Sequence, residues 1–210
     1  PADPAVSKFA GWDISLEALA WHPEKGNLLS ATRDGDGYIK EHDGFTDTIL
    51  QQFVLTEESS SDPYAMQVVN GDVVVHDDDG LIYVLDGVSP TVKDSFSAPS
   101  ASCKGLAYDP NNGDLLVGKN TTVWIQDGLS STTKDSINLS DMGEIFGLYF
   151  DGKYLYAVGD DGSGGVIYTY DGISDSVVDW FYFPGTQSGY NPLSVTHDGT
   201  NLIAFDSYNY

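Results

Sequence analysis

A repeat of about 42 residues runs through the whole chain and constrains its fold more than any other feature. Four segments end in an apolar run followed by Asp-Gly and a polar turn, and their aspartates are Asp43, Asp86, Asp127 and Asp171. The next aspartate of this series is due just beyond the C-terminus, and continuing the count from the N-terminus reaches Asp3. A period of this length that returns to its own start is typical of a closed ring of repeats.

A second marker gives the same period and shows what each repeat contains. Short apolar runs recur around Leu19, Met66, Leu106, Leu148 and Leu193, which makes five units in 210 residues. Each unit has four short runs rich in Val, Ile, Leu and Tyr, bounded by Gly, Asn and Asp, as strands are. In the third unit these runs are 104–108, 114–118, 122–126 and 133–139. No segment has the apolar spacing of a helix.

Four strands joined by hairpins form one blade of a β-propeller. We therefore expect an all-β, single five-bladed β-propeller with four-stranded antiparallel blades, occupying residues 1–210 as one domain. The expected blades are 15–56, 63–99, 103–140, 145–184 and 190–210, the last completed by 1–14. An N-terminal strand that joins the C-terminal blade would close the ring and protect its last sheet edge.

The charge balance indicates which partners the surface avoids. The formal net charge is −23, from 32 acidic residues against nine basic ones. Aspartate is a turn former, which explains part of the excess, but the scarcity of Lys and Arg predicts a negative surface repelled by nucleic acids and anionic membranes. No apolar run approaches the ~18–20 residues of a membrane span. We expect an extracellular or virion-surface location, with protein or glycan partners in a larger homo- or hetero-oligomeric assembly.

Acidic loops are the first candidate sites. They fall between the second and third strands of three units and contain Asp34 and Asp36, then Asp77, Asp78 and Asp79, and finally Asp160 and Asp161. Clustered carboxylates can hold Ca²⁺ through oxygen ligands, whereas Asp in these places also favours tight hairpin turns. Both interpretations stay open. No other cofactor is expected.

Two glutamates offer an alternative based on catalysis. Glu17 and Glu144 come just before inner strands and could point toward the central axis, with Asp141 close to the second of them. Some five-bladed propellers are glycosidases, whose chemistry needs two carboxyl groups about 5–10 Å apart. The competing interpretation is that both are solvated loop carboxylates.

Aromatic residues suggest both a core and a contact surface. Tyr83, Trp124 and Tyr168 share one repeat position on the third strand, and Trp12 and Trp180 share one on the outer strand, as packing between blades requires. The segment 182–190 has the composition of an exposed loop, and its best candidates for ligand or partner contact are Tyr182, Phe183, Gln187 and Tyr190. Repeated sugar sites of a five-bladed lectin are an alternative use of such side chains.

The phrase Asp86–Phe96, echoed at 127–137 and 171–181, resembles the repeats of NHL/YncE-type propellers. These include propellers of phage virion or tail-associated proteins from marine bacteria. The resemblance implies an adhesion, decoration or receptor-binding part of a particle. We accordingly expect a non-enzymatic binding or structural module on a virion or cell surface, with a lectin and a glycosidase-like enzyme as alternatives.

Overall fold

The computed structural model describes residues 16–33, 37–55, 62–183 and 192–206. These residues form eighteen strands in five sheets and contain no helix. Four of the sheets have four antiparallel strands in chain order, from the inner strand to the outer one. Blade 1 contains β1 (Leu16–His22), β2 (Asn27–Thr32), β3 (Tyr38–His42) and β4 (Ile49–Val54). Blade 2 contains β5 (Pro63–Val69), β6 (Asp72–Asp77), β7 (Leu81–Leu85) and β8 (Val92–Ser97).

Blades 3 and 4 repeat this arrangement. Blade 3 contains β9 (Gly105–Asp109), β10 (Asp114–Lys119), β11 (Thr122–Gln126) and β12 (Thr133–Asn138). Blade 4 contains β13 (Glu144–Phe150), β14 (Tyr154–Asp160), β15 (Gly165–Asp171) and β16 (Val177–Tyr182). The strands of blade 3 lie within one residue of those predicted from the repeat.

The fifth sheet differs from the expectation. It has two strands, β17 (Pro192–His197) and β18 (Leu202–Asp206). The structure therefore shows four four-stranded blades and not the five that we expected. Residues 1–14 and 207–210, which the prediction assigns to the remaining strands, lie outside the described residues.

The five sheets are arranged like the blades of a propeller. Their inner strands contact one another in the order β1, β5, β9, β13, β17 and back to β1. Between the last sheet and the first, the backbone N–H of Leu19 donates to Ser194 Oγ at 3.0 Å, and that of Trp21 donates to Thr196 Oγ1 at 3.1 Å. Strands from near the two ends of the chain are thereby joined side by side.

The Asp-Gly signature of the sequence builds one repeated turn between the third and outer strands. Gly87 and Gly128 have φ angles of 59° and 62°, in the left-handed region that glycine adopts without a Cβ penalty. Their N–H groups donate to the carboxylates of Asp72 and Asp114 on the second strand. The repeat therefore encodes a turn.

The core lies between adjacent sheets. Separate apolar clusters join blades 1 and 2, 2 and 3, and 3 and 4, and smaller clusters join the fifth sheet to blades 4 and 1. Tyr83, Trp124 and Tyr168 pack against these clusters, which confirms that their shared position serves packing. Trp180 does not follow the prediction, because 45% of it is exposed. No helix among the described residues is long and apolar enough to cross a membrane.

Candidate functional site

One end of the propeller axis is surrounded by five structurally equivalent side chains. Four inner strands begin with a β-bulge, whose extra residue is Glu17 in β1, Tyr64 in β5, Phe146 in β13 and Leu193 in β17. Lys104 directly precedes β9 in the remaining blade. A bulge leaves one residue out of the ladder and re-aims its side chain, and bulges are common beside active sites. We call this end of the axis the mouth.

Arg33 connects the side chains of blades 1 and 2 at the mouth. It is the only arginine in the chain. Its Nη1 lies 3.8 Å from Glu17 Oε1, and its Nε donates to Asp62 Oδ2 at 2.9 Å. Its guanidinium carbon also lies 5.4 Å from the centre of the Tyr64 ring, within the range of a cation–π contact. Arg33 follows β2, whose end pairs with the start of β1, so the hairpin brings it to Glu17.

Lys104 makes a similar connection between blades 3 and 4. Its Nζ lies 2.9 Å from Glu144 Oε1 and 4.4 Å from the centre of the Phe146 ring. The mouth thus carries a cation, a carboxylate and an aromatic ring on each of two sides. Such a surface offers donors, acceptors and apolar area to one small ligand.

The protonation of Glu17 depends on both sides of the mouth. Burial raises the pKa of Glu17 above its usual range, and the nearby Asp62 raises it further. Arg33 and Lys104 act in the opposite direction, and Lys104 does so from blade 3 while Glu17 is on blade 1. A half-buried carboxyl group with a raised pKa and a cation 3.8 Å away is a candidate for contact with a ligand.

Behind Tyr64, two buried ionisable residues stand next to each other on β6. His76 is fully buried, and its ring lies 6.4 Å from that of Tyr64. Burial lowers the pKa of His76 to about 4, so the imidazole is neutral near pH 7. Asp77 is 1% exposed, and burial raises its pKa to about 7.

Glu17 and Glu144 both lie at the mouth, but as the second residue of β1 and the first residue of β13 and not just before these strands, and each is paired with a cation. Asp141 lies elsewhere, in electrostatic contact with Tyr168 and Tyr170. Sequence reasoning missed Arg33 and Lys104. The signal that could have found Arg33 is its being the single arginine of an acidic chain.

The acidic loops cap their own turns. Asp77 accepts from the Asp78 N–H, and Asp79 accepts from the Leu81 N–H and the Tyr83 hydroxyl. Further along the chain, Asp160 accepts from the Gly162 N–H, and Asp161 accepts from the N–H groups of Ser163 and Gly164. Asp34 and Asp36 lie outside the described residues. Within the described ranges, no three His, Cys, Asp or Glu side chains are grouped as metal ligands, and Ca²⁺ binding stays a prediction.

The predicted contact surface is described in part. Tyr182 is 46% exposed, and its hydroxyl donates to Asp161 Oδ2 at 3.4 Å. Phe183 packs against the cluster between blade 4 and the fifth sheet. Gln187 and Tyr190 lie outside the described residues, so the role of this surface stays a prediction.

Comparison with known proteins identifies the fold and no family. No protein-family model and no curated protein matches the chain. Among solved structures, the glutaminyl cyclase of Myxococcus xanthus is similar, with a TM-score of 0.71 and 14% identity over 91% of this chain and 85% of the cyclase. Raptor of Chaetomium thermophilum is also similar, with a TM-score of 0.58 and 14% identity. The match covers 91% of this chain and 19% of Raptor. As many as 1310 solved chains share the fold, so the fold alone does not select a function.

These comparisons support the propeller part of the predicted resemblance, while its NHL/YncE and phage parts have no matching family. They also correct one expectation. We expected that the chain is not an enzyme, but the same propeller fold occurs in a glutaminyl cyclase, which is an enzyme. The resemblance to NHL/YncE-type propellers was therefore not a sound reason to exclude catalysis.

Proposed function

We propose that this chain is a ligand-binding propeller whose site is the mouth, and that its ligand is the amino terminus of a peptide or a free amino acid. The observation that carries the proposal is the position of Glu17, which is half-buried at the mouth, lies 3.8 Å from Arg33, and has a raised pKa that Arg33 and Lys104 oppose. Perturbed carboxyl groups at the end of a propeller axis are candidates for ligand contact.

The charge balance of the mouth favours an amine that also carries acceptors. Glu17, Asp62 and Glu144 are three carboxyl groups facing two cations, so the mouth retains an acidic excess. The ammonium group of a ligand can take the place of Arg33 beside Glu17 or Asp62. The released donors of Arg33 and Lys104 can then bind a carbonyl or carboxylate oxygen of the same ligand.

The dipeptide glutaminyl-glycine is a suitable probe, because it has an amine, two carbonyl groups and a carboxylate. We expect it to shift the backbone ¹H–¹⁵N NMR signals of residues at the mouth, above all those of Glu17, Arg33 and Lys104. N-acetyl-glutaminyl-glycine lacks the ammonium group and should shift them much less. Equal shifts with both peptides, or shifts confined to other parts of the propeller, would refute the proposed site.

Catalysis by Glu17 is a second candidate function, favoured by its raised pKa and by the enzyme that shares the fold. The reaction is the cyclisation of an N-terminal glutamine. The α-amino nitrogen attacks the side-chain amide carbon, a carbon–nitrogen bond forms, and the bond to the amide nitrogen breaks. Glu17 accepts the proton from the attacking nitrogen and donates it to the departing nitrogen, which leaves as ammonia.

Ammonia release from glutaminyl-glycine tests this second function. The wild-type protein should release ammonia, and Glu17→Gln should be slower by about 10²-fold or more, since general acid–base catalysis contributes about 10²–10⁴-fold. A wild-type protein that binds the peptide at the mouth and releases no ammonia would remove catalysis and leave the binding function intact.

The propeller itself can be completed by the termini. We propose that residues 1–14 and 207–210 supply the missing strands of a fifth blade in a single domain, which the contacts of β17 with both β1 and β13 support. Deleting 1–14 should then expose a strand edge and promote aggregation. A truncated protein that stays monomeric and equally stable would show that the ring closes in another way.

Location on a virion or cell surface, with protein or glycan partners, is a further part of the proposal. The net charge of −23 and the scarcity of Lys and Arg support it. Mass spectrometry of purified particles and of the cell-surface fraction from the source organism should detect the chain. Its absence from both would remove this part of the proposal without affecting the mouth.

A further inference from the structure

The outer strand of blade 4 differs from the matching strands of blades 2 and 3. Three of its side chains point to one side, at alternate positions, and all are exposed: Val178 (52%), Trp180 (45%) and Tyr182 (46%). The equivalent residues are Lys93, Ser95 and Ser97 in blade 2 and Lys134, Ser136 and Asn138 in blade 3. In both of those blades the lysine pairs with two aspartates. Blade 4 therefore exchanges an ion-paired polar surface for an exposed aromatic one.

The aromatic side chains form a connected surface turned toward blade 3. Trp180 is the cross-strand partner of Tyr168, with ring centres 6.3 Å apart, and its ring meets that of Tyr182 edge-on at 5.3 Å. Tyr168 packs against the cluster between blades 3 and 4, which fixes the direction in which this surface points. Large rings in mutual contact keep a defined geometry at low entropic cost.

Carboxylates surround these rings. Asp161 accepts from the Tyr182 hydroxyl at 3.4 Å. The pKa of Tyr168 is raised by burial and further by the nearby Asp161 and Asp141. Among the described residues, Asp141, Asp161 and Asp175 take part in no salt bridge. The rings thus lie in a negative field, and no cation among the described residues forms a salt bridge with these carboxylates.

A buried polar group provides an independent observation in the same place. Tyr170 is fully buried, and its ring lies 5.9 Å from that of Tyr168. Its hydroxyl has no hydrogen-bond partner among the described residues, and burial, with Asp141 and Asp175 nearby, raises its pKa. A buried hydroxyl left without a partner is costly, and this one lies beneath the aromatic surface with Asp141 and Asp175 nearby.

We propose that this surface, defined by Trp180, Tyr182, Tyr168, Asp161 and Asp141, binds an arginine or lysine side chain of a partner protein. A cation over an aromatic face is attracted by the negative face of the ring, and arginine is the more frequent partner. The surrounding carboxylates add long-range attraction, and the net charge of −23 directs a basic partner to the propeller. A neutral sugar could stack on the rings but would leave the carboxylates unpaired.

The test compares two pentapeptides that differ only in charge, Gly-Ser-Arg-Ser-Gly and the same peptide with citrulline in place of arginine. Binding is followed by the indole N–H signal of Trp180 in ¹H–¹⁵N NMR spectra of the full chain. We expect the arginine peptide to shift this signal. The citrulline peptide should bind at least about threefold more weakly, because it cannot make the cation–π contact. The double variant Asp141→Asn, Asp161→Asn should also bind the arginine peptide more weakly than the wild type does.

Two variants separate a specific site from general attraction to an acidic protein. Trp180→Ser introduces the residue that blades 2 and 3 carry at this position, so the fold should tolerate it, and binding of the arginine peptide should fall. Leu50→Ser removes an exposed apolar side chain from the equivalent of position 178 in blade 1 and should leave binding unchanged. The proposal is overturned if Trp180→Ser binds the peptide as well as the wild type, if citrulline binds equally, or if methyl glucoside shifts the Trp180 signal as strongly.

Discussion

Arg33 and Glu17 face each other where the first hairpin opens onto the mouth, with 3.8 Å between Nη1 and Oε1. Arg33 is about half exposed and also holds Asp62, so it is anchored on one side and open to a ligand on the other. The pair is therefore suited to adjusting the protonation of Glu17.

Replacing Arg33 by glutamine should raise the pKa of Glu17 further. Burial already raises this pKa and Arg33 opposes the effect, so removing the guanidinium leaves burial and Asp62 less compensated. The shift can be followed by ¹³C NMR titration of the Glu17 carboxyl carbon. Lys25→Gln, which removes a cation paired with Glu41, is the matched control and should leave Glu17 unchanged. An unchanged or lower pKa of Glu17 in Arg33→Gln would contradict the described electrostatics.

The neighbours His76 and Asp77 should have opposite effects on stability as pH changes. The pKa of His76 is about 4 in the folded protein and 6.5 in an unfolded chain, so its neutral form is favoured and its contribution to stability rises from about pH 4 to 6.5. The pKa of Asp77 is about 7 in the folded protein against 3.8, so its contribution falls from about pH 4 to 7. The two effects largely cancel in the wild type.

Single substitutions should reveal each slope. In Asp77→Asn, the free energy of unfolding should rise with pH across this window, by an amount on the order of 3 kcal/mol from His76. In His76→Leu it should fall with pH by a similar amount. Urea unfolding at several pH values measures both curves. Parallel curves for the two variants would show that one of the pKa assignments is wrong.

Two hydroxyl groups hydrogen-bond the fifth sheet to blade 1, beside the apolar cluster that joins the same two sheets. Ser194 is buried and accepts from the Leu19 N–H at 3.0 Å, and Thr196 accepts from the Trp21 N–H at 3.1 Å. Ser194→Ala leaves a buried N–H without its partner, which costs about 1–3 kcal/mol, and Thr196→Val should act in the same direction. Ser136→Ala on the exposed outer strand of blade 3 is the control. If denaturant unfolding gives equal stabilities for Ser194→Ala and the control, this contact does not join the sheets.

The repeat predicted the blades because one turn recurs with the same chemistry. Asp-Gly, an apolar residue and then Ser or Thr repeat at the third-to-outer-strand turns of blades 1 to 4, so spacing alone locates the strands of blade 3 to within one residue. The fifth blade was less predictable, since the repeat is incomplete at the C-terminal end of the chain, where the structure shows a sheet of two strands.

The site was only partly predictable. Glu17 and Glu144 were found because they lie near the starts of inner strands. The alternation of side chains along a strand cannot reveal a β-bulge, so it did not show that bulges redirect Glu17 and Tyr64 toward the mouth. Arg33 lies in the turn between the second and third strands, where the residue type differs from blade to blade, so the repeat did not indicate it. Trp180 was predicted to pack between blades because Trp12 shares its repeat position. The exposure of Trp180 depends on how the outer strand is placed relative to the neighbouring blade, which the repeat does not show.

Binding of glutaminyl-glycine to two isoelectric variants tests the central claim most directly. Glu17→Gln removes one carboxylate at the mouth, and Glu24→Gln removes one from the exposed first hairpin turn at the other end of blade 1. A lost hydrogen bond to a charged group is worth about 1.5–3 kcal/mol, so Glu17→Gln should bind about 10- to 100-fold more weakly by isothermal titration calorimetry. Glu24→Gln should bind like the wild type. Equal affinity of all three proteins would contradict the account.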